Sequence, residues 1–218
     1  MVHRTLDVSM AGSGELLVTR ILLIRHGHYE RVGDLGDTVW SLSTLGRRQA
    51  ARTGRRLQQL VDIHDASFEG LYASPWPRAL QTAEIASHEL GVDRVTVKPY
   101  LHEAIPLVDP VLSKELGVQH GLPPTTPEDH ASTVRQVTRV RERFFHPPRH
   151  HATYVLFTHG NLVRYLVAGT LNLPFEAWGR FDCTHCGITE IRVFQDGFEA
   201  LVRYNDAGHL PASLLTTS

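Results

Sequence analysis

The chain has 218 residues, with 22 basic and 23 acidic side chains and a formal charge of −1. That length suits a single domain, 1–218, able to bury roughly 70% of its unfolded surface without structural staples. The near-neutral balance argues against a general nucleic-acid or membrane-surface binder. Two cysteines, Cys183 and Cys186, lie too close together for a disulfide framework and suggest a reducing compartment. No stretch approaches a membrane span, and residues 1–19, read as an extension, lack the continuous apolar run of a secretory signal. A cytoplasmic location is expected, with no membrane and no nucleic-acid partner. The oligomeric state, a homo-oligomer included, stays open.

The first predicted element is Ile21-Leu22-Leu23-Ile24, followed by Arg25-His26-Gly27. Four consecutive large apolar residues read as a strand buried on both faces of a parallel sheet. Such a strand delivers Arg25 and His26 to its carboxyl end, where open α/β sheets bind ligands. Residues 28–40 form a polar loop over that end. Ser43 or Thr44 then caps a helix with Ala50, Thr53, Leu57 and Leu60 on one side. Its arginines, Arg47, Arg48, Arg52, Arg55 and Arg56, spread over the other side, as a solvated face or as steering charge for an anion.

Phe68 to Ala73 is a second strand. Ser74-Pro75 reads as an N-cap with proline at the first helical position, and Gly91 as the helix stop. Arg78 therefore falls in the first turn, beside the positive end of the helix dipole. Arg94 to Lys98 is a third strand, with Leu101-His102-Glu103 at its carboxyl end. Residues 104–127 contain Pro106, Pro110, Pro123, Pro124 and Pro127 and read as an excursion with at most a short helix. A helix follows over Glu128 to Phe145.

Tyr154 to Phe157 is a fourth buried strand, ending in Thr158-His159-Gly160-Asn161, with a helix from Leu162 to Leu171. Asp196-Gly197 joins two apolar-rich runs as a hairpin. Residues 205–218 show no clear element. The alternation of β and α units predicts an α/β fold of three α/β/α layers around a mostly parallel sheet.

Two histidines, His26 and His159, thus end buried strands before a glycine. Arg25 and Arg78 sit at a strand end and a helix start, and Glu103 ends a third strand. Arginine suits capture of phosphate oxygens. A neutral imidazole can attack phosphorus and hold the phosphoryl group. A nearby carboxylic acid can protonate a leaving oxygen and then deprotonate water. Each feature alone has a bland structural explanation; their joint placement at strand ends is the signal.

Arg25-His26-Gly27, Ser74-Pro75-x-x-Arg78-Ala79-x-Gln81-Thr82-Ala83, Leu101-x-Glu103 and Thr158-His159-Gly160-Asn161, in that order, resemble the histidine phosphatase (phosphoglycerate-mutase-like) superfamily. Within it the chain is most similar to the mitochondrial phosphoglycerate-mutase-like Ser/Thr protein phosphatases. That likeness adds Tyr29, Leu42-x-x-Leu45-Gly46-Arg47-x-Gln49-Ala50, Arg164-Tyr165, Trp178-x-Arg180 and Ile188-Thr189. The resemblance implies a phosphoglycerate-mutase-like fold, His26 as phosphorylated nucleophile and Glu103 as proton donor. Arg25, Arg78 and His159 would hold the phosphoryl oxygens, with no obligatory metal and no cofactor.

Gly27, His28, Gly160 and Asn161 are further candidate substrate contacts. The implied activity is hydrolysis of a phosphate ester in a phosphoprotein or a small metabolite. The alternatives are a cofactor-dependent phosphoglycerate mutase and a non-catalytic phospho-ligand binding module. Cys183-Thr184-His185-Cys186 invites a zinc or redox reading. Two cysteines and one histidine fall short of a closed zinc site, so ordinary reduced thiols are expected.

Overall fold

A computed structural model of the chain describes residues 16–30, 39–115 and 124–217. Residues 1–15 of the amino-terminal extension, most of the loop over the first strand and the middle of the 104–127 excursion lie outside these residues, whereas Val18 and Thr19 belong to the first strand.

Strand β1 (Val18–Arg25) is central in a six-stranded sheet of order β3-β2-β4-β1-β5-β6. The partners are β2 (Phe68–Ala73), β3 (Val95–Val97), β4 (Ala152–Thr158), β5 (Ile188–Phe194) and β6 (Glu199–Asp206). The pairs β3-β2, β2-β4 and β4-β1 are parallel, while β1-β5 and β5-β6 are antiparallel. The sheet is therefore mixed, with the parallel strands adjoining. Its antiparallel edge is the expected hairpin, closed by Gly197 at φ 81°.

Ile21 to Ile24 are fully buried and divide between the two faces as strand pleating requires. Leu22 and Ile24 pack with Leu57, Ala83 and Ala86 of α1 (Thr44–Leu60) and α2 (Pro77–Leu90). Ile21 and Leu23 pack with Val137, Val140, Tyr165 and Leu166 of α4 (Pro127–Phe144) and α5 (Gly160–Thr170). Each such side chain contributes roughly 1.5–3 kcal/mol by leaving water. The two clusters make the three layers.

Ser43 caps α1, its hydroxyl accepting from the Gly46 amide at 3.1 Å, and Gly91 ends α2 at φ 72°. The start of α2 differs from expectation: Trp76 is the N-cap residue and Pro77 the first helical residue. The cause is the second proline, which holds the residue before it extended; Trp76 has ψ 134°. Ser74, before that helix, accepts from the Trp76 amide at 3.2 Å and also reaches His159. Helix α5 begins at Gly160, two residues before the expected start, directly after His159. In the excursion, α3 (Pro110–Glu115) is the short helix. The tail is more structured than its sequence suggests, with β6 running to Asp206 and a 3₁₀ turn at Ala212–Leu214. Leu210 and Leu214 pack there against Cys186. Among the described residues no helix is long and apolar enough to cross a membrane.

Candidate active site

Sheet register brings the polar strand ends together. Arg25 pairs with Thr158 across β1 and β4, and the His26 amide donates to the Thr158 carbonyl at 2.9 Å. His26 and His159 are therefore neighbours, with ring centroids 5.0 Å apart. Next along the sheet, the Ser74 amide donates to the Phe157 carbonyl at 3.0 Å, setting Ser74 beside His159. The Lys98 amide continues the ladder to Ala73, and the Thr158 hydroxyl donates to the Leu101 carbonyl at 2.7 Å. That last bond draws the Leu101-His102-Glu103 turn over the end of β4. The chain leaves β1 toward β2 and leaves β4 toward β5, so the histidines mark the point where the connections diverge.

His26 is 2% exposed, and hydrogen bonding determines its tautomer. Nδ1 lies 2.8 Å from the Gly27 carbonyl, which only accepts, so Nδ1 carries the proton. Nε2 receives the Arg78 Nε–H at 3.1 Å and so presents a lone pair. Burial holds its pKa well below the usual imidazole value, reinforced by His159, Arg25 and Arg78.

The Arg78 guanidinium lies between two aromatic rings, 4.7 Å from that of Trp76 and 4.9 Å from that of Tyr29. Arg25 is also buried; it donates to the Cys183 carbonyl, and its Nε has no hydrogen-bond partner among the described residues. Gly160 lies against this side chain, where a Cβ would meet that Nε at an ordinary contact distance of 3.4 Å.

His159 is fully buried, with Nε2 2.8 Å from the Ser74 hydroxyl and Nδ1 without a hydrogen-bond partner among the described residues. Burial, then the Arg78 charge, lowers its pKa well below the ordinary value. Glu103 keeps part of its surface in solvent, while Oε1 accepts from the amides of Asn161 at 3.0 Å and Ala104 at 3.2 Å. Burial raises its pKa; the opposing pull of Arg25, Arg78 and the two amides is smaller. The pocket thus joins two imidazoles whose pKa values are lowered, two guanidiniums and a carboxyl whose pKa is raised.

The additional candidates have partners within the fold. The Gly27 amide is already committed to the Thr82 hydroxyl at 3.0 Å, and Gly27 packs on Gly46. Asn161 bonds Glu103 through its amide and the Ala104 carbonyl through Nδ2, so it braces the carboxyl. Gly160 packs beside Arg25. His28 bonds the Ser43 hydroxyl through Nδ1 at 2.8 Å, and its ring stays near the pocket. Sequence reasoning missed Ser74 as the partner of His159, the Tyr29 and Trp76 rings around Arg78, and His185. The Ser74-Pro75 pair carries a local signal, but one that spells a helix cap rather than a histidine partner.

Cys183 and Cys186 are buried free thiols, raised by burial to about 11 and about 12. His150 lies 3.1 Å from the Glu69 carboxylate. Among the described residues no three His, Cys, Asp or Glu side chains gather as a metal would require.

Residues 21–207 match the histidine phosphatase superfamily (branch 1). The chain belongs to that superfamily. The mitochondrial serine/threonine-protein phosphatase Pgam5 of Drosophila grimshawi is 34% identical over 210 residues, 90% of this chain and 66% of that protein. The chain thus spans just under two thirds of that relative's length. Among solved structures, Entamoeba histolytica phosphoserine phosphatase superposes with a TM-score of 0.63 at 23% identity, covering 88% of this chain and all of that one. A mycobacterial glucosyl-3-phosphoglycerate phosphatase, solved with inorganic phosphate, gives 0.62 at 20% identity over 88% of this chain and 100% of its own. These likenesses establish the phosphoglycerate-mutase-like fold. The expectation of a cytoplasmic location is overturned, because the Pgam5 relatives are mitochondrial proteins. The composition of a folded domain reports its solubility and charge, not its compartment.

Proposed function

We propose that this histidine phosphatase domain is a phosphomonoesterase working through a phosphohistidine at His26. The observation that carries the reading is the His26 tautomer: a buried neutral ring with the Nε2 lone pair directed at a guanidinium. An arriving phosphoryl group takes over the Arg78 donor and uncovers that lone pair. Arg25, Arg78 and the Nδ1 of His159, which has no partner among the described residues, hold its oxygens.

In the first step the His26 Nε2–P bond forms as the ester P–O bond breaks, and the Glu103 carboxyl gives its proton to the leaving oxygen. In the second, water attacks phosphorus, Glu103 takes the water proton, and the N–P bond breaks to release inorganic phosphate. The raised pKa of Glu103 suits it to both tasks. Phosphorylated serine or threonine in a protein, or a small phosphorylated metabolite, is the substrate class, supported by the names of the relatives.

Rapid quench under alkaline denaturing conditions with a labelled phosphoester tests the reading. The unaltered chain should carry label and His26→Ala should not, with turnover insensitive to EDTA and inhibited by vanadate. Hydrolysis by His26→Ala at the unaltered rate would overturn it.

A further inference from the structure

Tyr29 and Trp76 take no part in the bond-making described above, yet each ring lies against two of the groups that do. The Arg78 guanidinium carbon is 4.9 Å from the Tyr29 centroid, and the His26 ring lies 5.3 Å from Tyr29, edge-on at 73°. The same carbon is 4.7 Å from the Trp76 centroid, and the His159 ring lies 4.9 Å from Trp76 at 71°. A further ring stacks on each: Trp40 on Tyr29 at 5.6 Å and 13°, His102 on Trp76 at 6.0 Å and 18°. The backbone under both side chains is held. Tyr29 bridges to Leu42, flanked by the Ser43 amide on the His28 carbonyl at 3.0 Å and the Glu30 amide on the Ser41 carbonyl at 3.2 Å. Trp76 stands between Pro75 and Pro77, and its amide donates to the Ser74 hydroxyl at 3.2 Å. Pro77 keeps it extended, at ψ 134°. Arg78 itself is 3% exposed.

A guanidinium taken out of water needs compensation. A carboxylate compensates with a full negative charge, which would oppose an incoming phosphoryl group. The face of an aromatic ring compensates through its quadrupole, brings no such charge and consumes no N–H group. We propose that Trp76 and Tyr29 are positioning residues for phosphoryl transfer, a bracket that holds the buried Arg78 cation in register with His26 and His159. The inference rests on the reading that Arg78 binds the phosphoryl group. Arg78 then meets the oxyanion already ordered, so the bracket strengthens phosphate binding and the transition state together. Trp76 and Tyr29 act through Arg78 alone in this role and exchange no proton with the substrate.

The test is a double-mutant cycle, read by calorimetric vanadate affinity and by kcat/KM for an aryl phosphate. Trp76→Leu and Tyr29→Leu should each weaken vanadate binding about tenfold, the scale of one desolvated cation–π contact, and lower kcat/KM in parallel. Trp76→Phe and Tyr29→Phe keep a ring face and should recover most of that loss. In an Arg78→Ala background neither leucine substitution should weaken vanadate binding further, because the group they act through is gone. A side chain that merely supported the fold would lose affinity in both backgrounds. If a leucine variant does not fold, Trp76→Met or Tyr29→Met replaces it. Unchanged vanadate affinity in the aliphatic variants, equal losses in the Phe and aliphatic variants, or half or more of the loss persisting beside Arg78→Ala would overturn the inference alone. Unchanged vanadate affinity in Arg78→Ala by itself would overturn the phosphate-binding role of Arg78, and this inference with it.

Discussion

Replacing Glu103 with glutamine removes one exchangeable proton and little else. The glutamine Oε1 can still accept from the Asn161 and Ala104 amides, now 3.0 and 3.2 Å away, and the volume is unchanged. What is lost is a general acid in the first step and a general base in the second. Such a group contributes about 10²–10⁴ in rate, or about 3–5 kcal/mol of barrier. The loss should depend on the leaving group. An alkyl ester such as phosphoserine departs as a strongly basic oxygen, and its phosphorylation step should carry the full penalty. A nitrophenyl ester departs without needing a proton, so its burst should survive while turnover collapses, and phosphoenzyme should accumulate. Rapid-quench measurement with both esters checks this. Equal losses in the burst for the two esters would refute the acid role of Glu103. The pH profile follows with the same logic. With His26 lowered and Glu103 raised, the acid limb of kcat/KM lies well below the usual imidazole range, and the alkaline limb reports loss of the Glu103 proton. Glu103→Gln should abolish that alkaline limb.

Arg78→Ala should cut kcat/KM about tenfold to a hundredfold, the worth of a charge-assisted hydrogen bond, and weaken vanadate binding in parallel. An unchanged vanadate Kd would remove Arg78 from the phosphoryl cup. Gly46→Ala would place a Cβ 1.9 Å from the His28 carbonyl, so α1 must shift away from the loop bearing His28. Urea unfolding should show a loss of about 1–3 kcal/mol or more. Thiol titration should find Cys183 and Cys186 unreactive in the folded chain and both reactive after denaturation, since burial holds them to about 11 and about 12. His26, His159 and His185 bind protons less readily when folded than unfolded. Their contribution to stability is present above the unfolded value of about 6.5 and is lost as pH falls below it. For His185 that loss runs down to about 3. Unfolding free energies at neutral pH and near pH 5 would show whether stability falls in acid.

Much of the layer architecture was legible in the chain because its signals are local. Ile21 to Ile24 announce a doubly buried strand, Ser43 and Gly91 mark helix ends, and Asp196-Gly197 marks a hairpin. These signals depend on side-chain shape and backbone preference within a few residues. Ser74 shows where local grammar fails. Ser-Pro is a sound cap signal, yet Pro77 claims the first helical position and Ser74 turns to His159. Gly27 and Asn161 stand beside reactive residues in sequence, and the fold gives them hydrogen bonds to Thr82 and Glu103 that no local signal predicts.

The sequence by itself determined which chemical groups are present, which strands are buried, and the ordered motifs that identify the superfamily. Only the tertiary structure decided that Nε2 of His26 bears the lone pair, that Glu103 is raised and His159 lowered, and that the tail reaches His185 through Thr216. Tautomer and pKa depend on desolvation and on partners such as Arg78, 52 residues from His26, and Asn161, 58 from Glu103. Sheet register sets those separations in space, and no window along the chain contains both partners.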